Sequence, residues 1–120
     1  MNEYIGMLLQ SRTQAHIYHL QTTSFAKHKA LQEYYEGIVD LIDSIVEGYQ
    51  GSYGILTDYV MKSSIKNLEN NDDATDYIEN IKKFCELKRG KLPQDKFLQN
   101  LYDEVDNLIN STLYKLKYLS

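Results

Sequence analysis

Long stretches free of helix breakers constrain this chain more than any other feature. Pro93 is its only proline, and its six glycines fall mostly between apparent elements. Proline removes a backbone donor and clashes with the preceding turn, and glycine weakens a helix interior, so their scarcity leaves room for long helices. Apolar residues recur at spacings of three and four, and period-two alternation is nowhere sustained. The fold class is therefore all-α. One hundred and twenty residues suffice for a single domain, 1–120, with one core and no disulfide or metal staple.

Four helices are predicted. The first, about Asn2 to Leu20, sets Ile5, Leu8, Leu9, Arg12, Ala15, His16, His19 and Leu20 on one face, so the two histidines point inward. Gln21-Thr22-Thr23-Ser24 interrupts it, and Ser24 or Thr23 is the N-cap of the second helix. That helix runs from about Phe25 to Gly48, with Leu31, Tyr34, Tyr35, Ile38, Leu41, Ile42, Ile45 and Val46 as its wide apolar face. About twenty residues follow, in which Ile55, Leu56, Tyr59, Val60, Ile65 and Leu68 are spaced for one short amphipathic helix. Asn70-Asn71-Asp72-Asp73 caps the third helix, Gly90 stops it, and Pro93 opens the fourth at its first turn. Short, long and short connections let the third helix run parallel to the second, the arrangement of a ferritin-like four-helix bundle with one long crossover between its second and third helices.

Charge and composition remove several function classes. A net charge of -4, with basic residues scattered apart from Lys82, Lys83, Lys88, Arg89 and Lys91, argues against a nucleic-acid partner. That basic run reads as a solvated helix face. No segment approaches the ~20 apolar residues of a membrane span, and no signal-peptide pattern opens the chain, so a cytoplasmic protein is expected. Cys85 is the single cysteine and lies on the apolar side of its helix, as core filler and not as a nucleophile. Most of the eleven tyrosines stand at core spacing, where they pack and hydrogen-bond.

The chemistry concentrates in one stretch. All three histidines, His16, His19 and His28, lie within thirteen residues, and the acids Glu36, Asp40, Asp43 and Glu47 follow. Histidines and carboxylates at helical spacing point to a transition-metal site, iron first. No Glu-x-x-His occurs, so a di-iron centre inside one bundle is not expected. His19 and His28 flank a short turn and can face each other. His28 and Asp43, fifteen residues apart on one helix, stand roughly 22 Å apart and cannot share an ion within one subunit. Two copies of the second helix packed antiparallel about a two-fold axis would bring His28 of one chain to Asp43 and Glu47 of the other.

This pattern resembles the Dps family, small ferritin-like proteins that oxidise iron at a subunit interface. The resemblance covers about residues 4–50, with His28, Asp43 and Glu47 at the family's spacing of fifteen and nineteen. It implies iron as the cofactor, a homodimer or higher homo-oligomer, and metal ligands His19, His28, Asp43 and Glu47. His19 is favoured as first ligand because it is nearest the turn, whereas the family's twelve-residue spacing selects His16. The family's carboxylate four residues after the second histidine is replaced by Gln32, an amide able to hold a water. The run H-L-Q-T-T-S-F-A-K-H-K-A-L also resembles small uncharacterised ferritin-like proteins of tailed phages, which implies the host cytoplasm or the virion as location. Three functions follow: a Dps-like iron-binding protein with ferroxidase activity toward Fe(II), a non-enzymatic phage structural or host-interaction bundle that has lost the metal, and a redox-silent zinc site with the same ligands.

Overall fold

The computed structural model describes residues 1–62 and 64–119, and all of its regular structure is helical. The helices are α1 (Asn2–Gln21), α2 (Phe25–Tyr53), α3 (Asp73–Lys88) and α4 (Lys96–Tyr118), with a 3-10 turn at Arg89–Lys91. At about 1.5 Å per residue the 29 residues of α2 run the full 43 Å length of the molecule.

Cross-links between helices fix their directions. Glu3 near the start of α1 meets Lys88 at the end of α3, and Tyr18 near the end of α1 meets Tyr77 near the start of α3, so these two run antiparallel. Lys115 near the end of α4 pairs with Glu33 near the start of α2, and Lys117 with Glu79 of α3, so α4 opposes both. Around the bundle the order is α1, α2, α4, α3, and α3 runs parallel to α2. A single core joins all four, with Tyr4, Tyr34 and Tyr102 fully buried among Ile5, Leu8, Leu31, Ile38, Ile45, Ile78, Leu98 and Ile109. The Ser11 hydroxyl donates to Leu8 O, which leaves its oxygen to accept the Tyr34 phenol at 2.7 Å. Cys85 is buried in the same core, and burial pushes its thiol up to about 12, so it packs as expected and carries no nucleophile.

Three element boundaries differ from expectation. α2 does not stop at Gly48 but continues to Tyr53 and ends at Gly54, whose φ is +91°. Gly48 serves close packing instead: a Cβ there would lie 3.2 Å from the Phe97 ring of α4. Pro93 does not open α4. It lies ahead of Asp95, the N-cap, and its carbonyl accepts the Tyr102 hydroxyl at 3.2 Å.

The largest difference is at 54–62 and 64–72, where the described residues form no helix. The segment is an extended strap laid along α1: Val60 N–H donates to Asn2 O, Lys66 is held by Gln14, and Leu68 N–H donates to Gln21. Among its described residues only Leu56 is buried, while Ile55, Tyr59, Met61 and Ile65 are exposed. Val60 lies at the first turns of α1 and Leu68 at its end, so eight residues cross most of α1, further than the about 12 Å that eight helical residues would advance. The strap also explains α1 itself. With α2, α3 and the strap around it, α1 buries Gln10, Ser11 and Gln14 beside its apolar residues, while Arg12 and Leu20, expected on the buried face, are exposed.

Candidate functional site

Two helix ends build the histidine cluster. α1 closes with Thr22 N–H on Tyr18 O, Ser24 N–H returns to Thr22 Oγ1, and Ser24 caps α2 by accepting Lys27 N–H at 3.2 Å. The three-residue turn sets the last turn of α1 against the first turn of α2. There the His19 and His28 rings stack with centroids 3.6 Å apart and 20° between planes.

The pair is cross-bonded. His19 Nδ1 lies 2.7 Å from His28 O, and His28 Nδ1 lies 2.8 Å from His19 O. A carbonyl only accepts, so both Nδ1 atoms carry a proton and donate, and both Nε2 atoms are outside these bonds. His19 O belongs to the last four carbonyls of α1, which have no partner inside the helix, so the His28 ring caps that helix from across the turn. His19 is 7% exposed, and its ring returns the bond to α2.

Aromatic rings extend the stack on both sides. His16 lies flat against Tyr35, 4.2 Å between centroids and 14° between planes, and Tyr35 meets the His19 ring edge-on at 5.3 Å. Phe25, 76% exposed, follows His28 on the outer side at 6.3 Å. Sequence reasoning passed over both rings as ligand partners. Their spacing from His28, three before and seven after, puts all three on one flank of α2.

The structure therefore stacks His28 on His19, sets His16 beside His19 at 5.9 Å between centroids, and leaves the other three candidates, all on α2, elsewhere. Gln32 Nε2 donates to Glu36 Oε1 at 3.0 Å on the open side of α2. Asp43 is exposed at the rim of a groove of about 240 Å³ lined by Leu9, Arg12, Thr13, Val39, Ile42 and Met61. Glu47 is exposed one turn further on. Among the described residues no group of three or more His, Cys, Asp or Glu is arranged to hold a metal ion within one chain. The separation expected for His28 and Asp43 on one straight helix holds, because α2 is unbroken between them.

Comparison with known proteins adds a family. A model for a family of unknown function, DUF5856, matches residues 19–116, nearly the whole of the turn, α2, the strap, α3 and α4. The chain belongs to that family. It is also similar to an uncharacterized 14.6 kDa protein from the mobD-ri intergenic region of Enterobacteria phage T4, 38% identical over 53 residues. That match covers 44% of this chain and 41% of the phage protein, so the chain spans about two fifths of that relative's length. No solved structure matches. The phage resemblance read from the histidine stretch is thus supported, and neither match bears on the ferritin-like or Dps resemblance. No helix among the described residues is long and apolar enough to cross a membrane.

Proposed function

We propose that this chain is a non-enzymatic helical bundle of phage type, acting in the host cytoplasm or in the particle through its surface. One observation carries the reading: the imidazoles that looked like ligands are committed to the fold. Both Nδ1–H groups are engaged on the carbonyl across the turn, and the two rings fill each other's van der Waals space. In this reading Asp43 and Glu47 are solvated acids of an outer helix face. The similarity to a phage protein and membership of DUF5856 are consistent with it.

A second reading keeps the Dps-like iron site, and a specific observation favours it. A metal-ligating histidine usually donates its other ring N–H to a carbonyl or carboxylate, which fixes the tautomer and aims the free nitrogen. His19 and His28 both have that bond. The helix order and the single long crossover are compatible with a ferritin-like bundle. An antiparallel α2 pair would then bring His19, His28 and, with altered spacing, His16 to the partner's Asp43 and Glu47, with Gln32 holding a water. Iron makes this a ferroxidase, and zinc a site without redox work.

Aerobic addition of Fe(II) separates the readings. Rates of near-ultraviolet absorbance increase equal to buffer, together with a stability loss in the His28→Ala variant, support the bundle reading. Protein-accelerated oxidation that His28→Ala and Asp43→Ala both abolish overturns it in favour of the shared iron site. Tight zinc retention without oxidation, lost in the same two variants, overturns it in favour of zinc.

A further inference from the structure

Between the strap and α3 lies a buried polar group that neither reading uses. Tyr77 of α3 packs its ring edge-on against Tyr18, 6.0 Å between centroids, and its hydroxyl is buried with no hydrogen-bond partner. Other core phenols are paired: Tyr34 with Ser11 at 2.7 Å, and Tyr102 with Pro93 O at 3.2 Å. A buried hydroxyl without a partner costs the fold free energy, which makes Tyr77 a candidate for a ligand contact. Burial raises the phenol's pKa, so it keeps its proton at neutral pH and can both donate and accept.

Hollows lie on both sides of the Tyr77 side chain. One, of about 220 Å³, has Met7, Ile81 and Phe84 as its apolar wall. The other, of about 470 Å³, is lined by the acids Glu69, Asp73 and Asp76. Lys66, Tyr77 and Asn80 line both and form the neck between them. The order follows from α3. Asp73, Tyr77, Asn80, Ile81 and Phe84 recur at helical spacing, so one flank of the helix passes from acid through phenol and amide to apolar side chains. Among the described residues the Lys66 ammonium, the Asn80 amide and the Asp76 carboxylate have no hydrogen bond or ion pair. Gln14 is committed to the Lys66 backbone, which leaves the lysine side chain free to swing. Asp73 accepts the N–H groups of Asn70 and Glu69, which hold its carboxyl below the usual range and keep it ionised.

We propose that this trough binds a free α-amino acid with an apolar side chain. Each group of that molecule has a place in it. The side chain fills the hollow beside Met7, Ile81 and Phe84. The carboxylate takes the Lys66 ammonium and the donors of Tyr77 and Asn80 at the neck, and the ammonium faces Asp73 and Asp76. A plain carboxylate would meet those acids unscreened, and a plain amine would meet Lys66, so charge selects the molecule that carries both. Size agrees, because the apolar hollow is smaller than the about 300 Å³ at which pockets for drug-sized ligands begin. The Tyr77 hydroxyl is closed to solvent, and the occupant reaches it by lifting the Lys66 side chain, which is fastened through its backbone alone. The proposal rests on neither reading of the histidines.

Titration of the full, isotope-labelled chain with L-leucine, L-methionine and L-phenylalanine tests this by NMR. Saturable binding with a dissociation constant of about 1 mM or below is expected for at least one of them, with amide shifts confined to the strap and α3. Isocaproate, which is leucine without its ammonium, and leucinamide, which lacks the carboxylate, are each expected to bind about tenfold more weakly. Lys66→Ala, at an exposed residue, is expected to remove the preference for leucine over leucinamide. Tyr77→Phe keeps the ring and deletes the hydroxyl. It is expected to raise the melting temperature of the ligand-free chain by about 4 °C, because an unpaired buried oxygen is gone, and to weaken leucine binding about tenfold. No saturation by any of the three amino acids at about 10 mM overturns the proposal. So does an affinity that Tyr77→Phe leaves unchanged. Leucinamide binding as tightly as leucine overturns it and assigns the trough to the first residue of a peptide, and isocaproate doing so assigns it to a plain carboxylate. A Tyr77→Phe chain that melts lower, with no amino acid bound by either form, overturns it and gives the hydroxyl a buried water as partner.

Discussion

The two connections leaving the ends of α2 solve the same problem by opposite means. Between α1 and α2 three residues suffice, and the turn is closed by groups nine residues apart: two imidazoles, each bonded to the other's carbonyl. Between α2 and α3 the chain must travel the length of the bundle, and it is held at intervals by side chains, first by nearby Gln50 on Leu56 and then by two far away in sequence, Gln14 on Lys66 and Gln21 on Leu68. The first needs rings of one size in one stacked geometry. The second needs amides, which present a donor and an acceptor as a peptide group does. Local closure costs little chain entropy and tolerates few side chains, whereas a long strap must be fastened repeatedly.

The difference can be attacked at the strap's closest approach. Gly6→Val places a branched side chain where Val60's backbone lies, so either the strap lifts or α1 shifts. The expected cost is about 3 kcal/mol, with early proteolysis near Lys62, measured by urea denaturation and limited digestion. Loss of the helical signal without any earlier strap cleavage would place the strain in α1.

At the turn, His19→Ala removes a buried ring and leaves His28 O short of one donor and the His28 ring without its stacking partner. A loss of about 2 kcal/mol is expected, with faster amide exchange confined to residues near the turn and no gain in strap cleavage. Parallel destabilisation of the strap would show that the two connections are coupled, through Lys27 Nζ on Asn71 O or Gln21 on Asn67.

Gln14→Ala should cost less, about 1–2 kcal/mol for two neutral hydrogen bonds whose backbone partners can turn to water. Gln14→Glu keeps the acceptor for Lys66 N–H but turns a second acceptor on Lys66 O, so its strap should be cleaved as fast as that of the alanine variant.

The smallest effect is electrostatic. Glu3 joins strap and α3 to α1 through hydrogen-bonded ion pairs with Lys88 first and Lys62 second, which hold its carboxyl down at about 2. A depressed carboxyl stabilises the fold fully above its ordinary value of 4.5, and that contribution fades as the pH falls toward about 2. Glu3→Gln should flatten the acid limb of the stability curve in that window and leave neutral stability nearly unchanged at high salt.

The sequence by itself determined the helices that have one buried face. α2, α3 and α4 each meet partners from one side, so apolar spacing reports their burial directly, and Ser24, with its oxygen placed before an apolar run, marked where α2 begins. It also brought His19 and His28 together, because two helix ends joined by three residues must face each other. Only the tertiary structure decided what those histidines bond to, since nothing in H-x-x-H distinguishes a ring whose proton meets a backbone carbonyl from one waiting for a metal. Only it decided that Gly48 packs and Gly54 terminates, which depends on where α4 lies. The strap was least legible of all. Ile55, Leu56, Tyr59, Val60, Ile65 and Leu68 fit a helical wheel, but the distance they span is set by α1, and its fasteners sit at Gln14, Gln21 and Gln50. A segment shaped by a required distance, and by two glutamines 47 and 52 residues away, carries no local period to read.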